Sequence, residues 1–370
     1  MPRAATWWTG RSPTSNATCR APSTRSWSTS AVSGWIERPA RRACWLLILW
    51  LAGCAPAGPD AVLADYLERV ARVTGSETRE AEPAPLQPYP ARRDLRVAVP
   101  EISIDVGEFF DLHGCDMGDL AGFRNSPLGR VQTASQRLGY ETAWLAAAAR
   151  CGPDAPDWLA DVARQKRGAL PALFWNATFA AEELHAALGG AGHPTGDFAD
   201  LLRRLNDAYG AALSGDLDLS AFENTLGRLR EGGWVGGARR EWAGWRRTLS
   251  AASALLEGAL PGICLNGQPT PDSRILANVF MKYYVERIQP EMAGRMRRQE
   301  AWIDAMHRLR GRLAAVSPPA FDAWYRDVLA PDRVDSEWRR TRAAIVDHAR
   351  AWQRLFRHCG IEPLPGLGQD

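Results

Sequence analysis

The chain has 370 residues, with 45 Lys+Arg against 42 Asp+Glu for a formal net charge of +3, but that basic excess sits in the first 53 positions, which hold 7 basic residues and 1 acidic one. Residues 54–370 carry 38 basic and 41 acidic side chains and show no basic stripe with interleaved aromatics, which argues against a nucleic-acid partner. They also contain no run of 18 uninterrupted apolar residues, so a membrane-spanning helix is not expected.

Residues 1–31 are dominated by Ser, Thr, Arg, Pro and Trp, and the first acidic residue is Glu37. They read as an N-terminal extension ahead of the true start, with Val32 as a GTG initiator. Arg41 and Arg42 then precede an uncharged stretch, Cys44 to Gly53 (CWLLILWLAG). Ten residues reach about 15 Å as a helix, half of the roughly 30 Å hydrocarbon core. The stretch fits a signal-peptide h-region with the arginines as its n-region. Leu51-Ala52-Gly53-Cys54 has the pattern of a bacterial lipobox. Small residues at 52 and 53 admit a peptidase to the backbone, and the Cys54 thiol takes the diacylglyceryl group. The expected organisation is an extension at 1–31, a lipoprotein signal peptide at 32–53, a lipidated tether with a short helix and Pro-rich linker at 54–93, and an α-helical periplasmic domain at 94–370. Several acyl chains on Cys54 suffice for stable membrane attachment. Ala55, rather than aspartate, follows the lipidated residue, so the periplasmic face of the outer membrane is the expected location.

Of seven cysteines, Cys19 and Cys44 precede the cleavage point and Cys54 is lipidated. Cys115, Cys151, Cys264 and Cys359 remain, an even number that fits two disulfides in an oxidising compartment. Three pairings are possible; Cys115–Cys151 with Cys264–Cys359, which avoids nesting, is favoured. No CxxC and no Cys-His cluster is present, so zinc is not expected.

In chain order, residues 60–74 place Val62, Leu63, Tyr66, Leu67, Val70 and Val73 on one helical stripe. A Pro- and Glu-containing linker follows at 75–93. Leu95, Val97 and Val99, then Ile102, Ile104 and Val106, alternate as one or two short strands broken by Pro100. From there the pattern is helical: 106–123; Pro127–Arg150 with Ser126 as N-cap; 156–167; 171–188; 197–213; 219–230; and 238–259. GGWVGG at 232–237 reads as a flexible joint. A helical region at 272–316 contains Pro290, which should kink or break it, and a last helix spans about 332–358. The expected fold is mainly α: an antiparallel helical bundle, either as one body or as two coupled helical subdomains, with at most one or two short strands near 95–106.

The chain lacks a P-loop, GxGxxG and HExxH, and residues 54–370 lack GxSxG, so no catalytic residue and no cofactor is expected. Two constellations stand out. Glu182 and His185 have the ExxH spacing used in di-iron bundles, but the only partial second element is Asp304 with His307, and exposed polar residues explain both. FRNSPLGRVQTASQRLGYE, 123–141, places Arg124, Asn125 and Ser126 at the mouth of a helix whose free N–H groups suit an anion, with Arg137, Tyr140 and Glu141 beyond. The competing explanation is an N-cap with an Arg137/Glu141 pair at i,i+4.

The lipobox, RRDLRVAVPEISID at 92–105, RNSPLGRVQTASQRLGYE at 124–141, NVFMKYYVERIQPEM at 278–292 and HARAWQRLFRHCG at 348–360 together resemble the domain-of-unknown-function 3080 family of proteobacterial lipoproteins. The resemblance implies an envelope lipoprotein and supplies no catalytic residues. The expected function is thus a lipid-anchored envelope protein that binds a periplasmic or outer-membrane protein or glycan partner. The alternatives are an anion- or small-ligand-binding module at the helix mouth 124–127 and a metal-dependent enzyme of the helical-bundle type.

An intact mass of the membrane-extracted protein, taken without reductant, should equal residues 54–370 plus acyl groups, less the hydrogens of two disulfides. A mass that includes residues before Cys54, without acyl groups, would remove the export reading.

Overall fold

Apolar residues recur at three- and four-residue spacing through most of the chain, and helices follow from it. The computed structural model describes residues 59–78, 85–112, 115, 117–152, 155–190, 192 and 196–362. The expected extension, signal peptide and Cys54 lie outside the described residues. The helices are α1 (Pro59–Thr74), the single turn α2 (Arg92–Leu95), α3 (Val106–Asp111), α4 (Gly118–Asn125), the single turn α5 (Pro127–Arg130), α6 (Ala134–Arg150), α7 (Asp157–Thr178), α8 (Glu182–Gly189), α9 (Phe198–Ser214), α10 (Leu219–Leu229) and α11 (Trp234–Ile263). After a short hairpin come α12 (Pro271–Val279), a π-helical segment (Phe280–Ile288), α13 (Gln289–Arg312), a 3₁₀ turn (Ala314–Val316), α14 (Pro319–Val328) and α15 (Glu337–His358). The fold is mainly α, as expected, and the described residues from 59 onward belong to one compact unit. No described helix is long and apolar enough to cross a membrane.

Several boundaries differ from the sequence reading. Pro171 does not separate two helices: α7 runs through it, held by buried Leu170, Leu173, Phe174 and Trp175 on the same helix. Residues 232–237 are not a joint. Gly232 and Gly233 take positive φ (75° and 79°) and start α11 directly, while Gly236 lies inside the helix. Its backbone approaches 189–190 so closely that a Cβ there would sit 2.0 Å from the Gly190 carbonyl oxygen. Pro290 does not break the helical rod either. The segment before it shifts to π geometry, with Gln289 N donating to Tyr284 O five residues back. That register accommodates the proline ring against the preceding turn. Helix α14 was not expected from the sequence; Pro318 and Pro319 introduce it.

The strands expected near 95–106 do not form. Residues 96–105 form no strand, and at Val97 a side chain of α7 takes the backbone hydrogen bonds a strand partner would have taken. Asn176 accepts from Val97 N (3.0 Å) and donates to Val97 O (2.8 Å), and Trp175 Nε1 donates to Leu95 O (2.7 Å). Val97, Val99, Ile102 and Ile104 are partly buried against the core. Among the described residues the β pairing is a two-residue hairpin, β1 (Cys264–Leu265) with β2 (Gln268–Pro269), turned by Asn266 and Gly267 at positive φ (51° and 74°).

Helix pairing is mixed. α6 and α7, joined by a short connection, run antiparallel, with Glu141 opposite Lys166. The α11–α15 seam runs parallel: Arg239 meets Glu337, Arg246 meets Thr341, Ser253 meets His348, Glu257 meets Arg354 and Cys264 meets Cys359. The intervening hairpin and helices α12 to α14 return the chain to the starting end.

His348 is fully buried at the middle of that seam. Its Nε2 meets Tyr66 Oη on α1 (2.7 Å) and its Nδ1 meets Ser253 Oγ on α11 (2.9 Å), while Trp352 Nε1 donates to Tyr66 Oη (2.8 Å). Burial pulls the imidazole pKa down to about 3, partly offset by a hydrogen bond with the Leu249 backbone. The unfolded chain, with histidine near 6.5, therefore binds a proton that the folded one refuses. Stability from this site is complete above about pH 6.5 and is lost as pH falls, by up to about 1.4 kcal/mol per unit. Denaturant unfolding between about pH 7 and 5 should show this slope in the wild type and lose it in His348→Asn; equal slopes would refute the assignment.

Candidate functional site

The helix expected from Pro127 to Arg150 is broken in two. At Gly129 the chain folds back so tightly that a Cβ would lie 2.1 Å from the Phe123 carbonyl oxygen. Ser126 Oγ donates to Phe123 O (2.7 Å) and accepts from Gly129 N (3.1 Å). Thr133 then caps α6 in a capping box, accepting from Gln136 N (3.2 Å) while its own N–H donates to Gln136 Oε1 (3.1 Å). These caps engage the Gly129 and Gln136 N–H groups within the chain, where the sequence reading had free N–H groups at the mouth of one continuous helix.

The fold-back produces a different arrangement from nearly the same residues. Arg124 on α4 and Arg130 on α5 come beside Arg137, Tyr140 and Glu141 on α6 and Lys166 on α7, around a cavity of about 280 Å³. The extended segment 101–104 closes another wall. The expected Arg137/Glu141 pair is absent. Glu141 accepts instead from Lys166 Nζ at 2.7 Å, both side chains being under 10 % exposed, and the ammonium lies 4.8 Å over the Trp144 ring. Arg124 Nη1 donates to Gly129 O (2.6 Å), which fixes the fold-back. Arg130 and Arg137 have no ion pair among the described residues, and Arg137 Nε is buried without a hydrogen-bond partner. Tyr140 is buried, and that burial, with the Glu141 charge adding and Arg124 opposing, pushes its pKa up to about 12. At neutral pH it is a phenol that can donate.

With Glu141 and Lys166 neutralising one another, the lining leaves three guanidinium groups against the single exposed carboxylate of Glu101. Guanidinium forks match carboxylate and phosphate oxygens in pairs. A partly enclosed cavity strengthens such contacts relative to water. The chemistry this arrangement can do is to hold a small anion.

The other residues singled out from sequence fall elsewhere. The Asn125 side chain is not among those described. Glu182 pairs with Arg230 (2.8 Å) on the surface, and the His185 ring packs edge-on against Tyr89 with centroids 5.3 Å apart. His307 Nδ1 meets Tyr325 Oη (2.6 Å). No group of three His, Cys, Asp or Glu side chains among the described residues converges on a metal position. The disulfides pair as favoured, Cys115–Cys151 with Cα atoms 4.8 Å apart and Cys264–Cys359 with Cα atoms 5.4 Å apart. The first links the entry of α4 to the end of α6, two walls of the arginine cavity.

The sequence reading did not place Lys166, Trp144 or segment 101–104 at a site; it took 101–104 as part of a strand. A signal for Lys166 exists: it sits among Leu159, Val162, Ala169, Leu170 and Leu173 on the buried stripe of α7, where a lysine needs a partner. Nothing local in 101–104 announces its place at the cavity.

A family model of proteins of unknown function (DUF3080) matches residues 63–363, most of the chain. No curated protein and no solved structure matches.

Removing one partner of the buried pair should be costly, because it leaves the other charge unpaired. Lys166→Met should destabilise by about 3–5 kcal/mol, and Lys166→Met with Glu141→Leu should recover most of that loss. Denaturant unfolding of the two variants checks this; a double variant as unstable as the single one would contradict it.

Proposed function

Since the chain belongs to the DUF3080 family of proteins of unknown function, we propose that it is a lipid-anchored envelope protein whose helical domain holds an acidic group in the arginine cavity. Cys54 provides the anchor, and the group is a carboxylate or phosphate of a periplasmic or outer-membrane partner. The observation that carries this reading is Arg137, whose buried Nε lacks a hydrogen-bond partner beside Arg124 and Arg130. A buried guanidinium donor left unpaired costs free energy that an incoming anion recovers. The cavity volume of about 280 Å³ suits one small group rather than a whole cofactor.

Calorimetric titration of the detergent-solubilised protein with inorganic phosphate and with succinate distinguishes the two acidic groups. Saturable binding is expected with at least one of them, weakened about tenfold or more by Arg137→Ala. Arg124→Ala separates roles. Loss of binding with an unchanged Tm marks a ligand contact, whereas loss of stability with binding intact leaves Arg124 as a structural latch on Gly129. No binding of either probe by a folded wild type would overturn the anion reading.

A further inference from the structure

A second and larger cavity, of about 690 Å³, opens where the N-terminal ends of α9 and α11 face the middle of α13. Its volume lies within the range of small-molecule sites. Phe198 and Trp234 stack face to face along one side (centroids 5.2 Å, planes 11° apart), and Trp302 packs against Phe198 (5.6 Å). Trp234 Nε1 is buried and has no hydrogen-bond partner. Beside the aromatics, Glu241 accepts from Arg295 Nη1 and from Gln299 Nε2 (3.0 Å), and Gln299 Oε1 accepts from Trp242 Nε1 (3.0 Å). Arg297 and Arg298 line the cavity, are exposed, and form no ion pair among the described residues.

Glycine keeps the space open. Gly294 lies inside α13, where glycine is unfavourable, yet a Cβ there would meet nothing nearer than the flexible end of Arg298 at 3.7 Å. A side chain at 294 would project among the ends of Arg297 and Arg298 at the cavity.

The geometry points to a binding site for an acidic saccharide. A sugar ring presents an apolar C–H face to Trp234, the partly exposed member of this aromatic group, which the buried Phe198 backs. Its hydroxyls can accept from the Trp234 N–H and donate to the Glu241 carboxylate. Its carboxylate meets Arg297 and Arg298, whose guanidinium groups suit it in pairs. This inference is independent of the arginine cavity, with which it shares no residue.

Calorimetric titration of the detergent-solubilised full-length protein with the glucuronate–N-acetylglucosamine disaccharide tests it, with chitobiose as the neutral sugar and acetate as the bare anion. Saturable binding of the acidic disaccharide is expected, about tenfold or more tighter than either control. Gly294→Leu should abolish it and Arg297→Ala/Arg298→Ala should weaken it about tenfold, neither with a lowered Tm, while Arg137→Ala leaves it unchanged. Three results would overturn the proposal: no binding by a folded protein, equal affinity for chitobiose or acetate, or binding that survives Gly294→Leu.

Discussion

The fold depends on the parallel seam between α11 and α15, and that seam begins with a buried ion pair. Arg239 donates to both oxygens of Glu337 (2.8 and 2.6 Å), and its remaining nitrogen donates to Gln87 O (2.6 Å). Both side chains are under 10 % exposed. Burying two charges costs several kcal/mol per ion, roughly offset only when geometry is good and the remaining donors are used. Here the fork is bidentate and a third donor is satisfied. The pair therefore adds little net stability over an apolar contact of the same size, but it sets the register. A one-turn slip of α15 along α11 would leave both charges buried and unpaired.

That register carries the rest of the seam. The Trp242–Trp338 contact, the His348 network and the Cys264–Cys359 bridge all follow at matching positions along the two helices. The seam also fixes α1, through Tyr66, and the otherwise irregular segment at 87, through Arg239. The arginine cavity sits away from this seam, on α6 and α7 and the short segments laid over them. Its wall at 101–104 packs through Ile102 and Ile104 against the core, while 118–130 is held by the Arg124 and Ser126 hydrogen bonds and the Cys115–Cys151 disulfide at its entry.

Legibility in the sequence followed the range of the interactions. Long amphipathic helices such as α1, α9 and α10 were readable to within a residue or two, because 3.6-residue periodicity is a local signal. The N-caps Asp197 and Asp218 stand directly before their helices, accepting from Asp200 N and Ala221 N. What the sequence hid was decided by partners far along the chain. Residues 96–105 have strand alternation, but Asn176, 79 positions away, takes the Val97 hydrogen bonds that a strand partner would have taken. Pro290 predicts a break on local rules, and a shift of the preceding turns to π register absorbs it instead. In the candidate site, Arg124, Arg137, Tyr140 and Glu141 were legible as a group. Their arrangement was not, since the backbone clash at Gly129 and the choice of Lys166 over Arg137 as the partner of Glu141 exist only in three dimensions.

That choice of partner also explains why the site keeps free arginines. All but two of the 45 basic residues are arginine. Many described arginines lie on the surface and pair with a carboxylate close in sequence, as Arg69 does with Asp65, Arg204 with Asp200 and Arg350 with Asp347. Such exposed pairs are worth little each. In the arginine cavity the one buried carboxylate is taken by a lysine, a compact charge that meets Glu141 with one nitrogen and lies over Trp144. An arginine in that place would have brought a five-donor fork into a space with one acceptor. With Glu141 satisfied from α7, Arg137 on its own helix is left without an acidic partner, four residues away from the carboxylate that helix spacing would have offered it. The unpaired Arg137 Nε is thus a consequence of how the buried charge was neutralised.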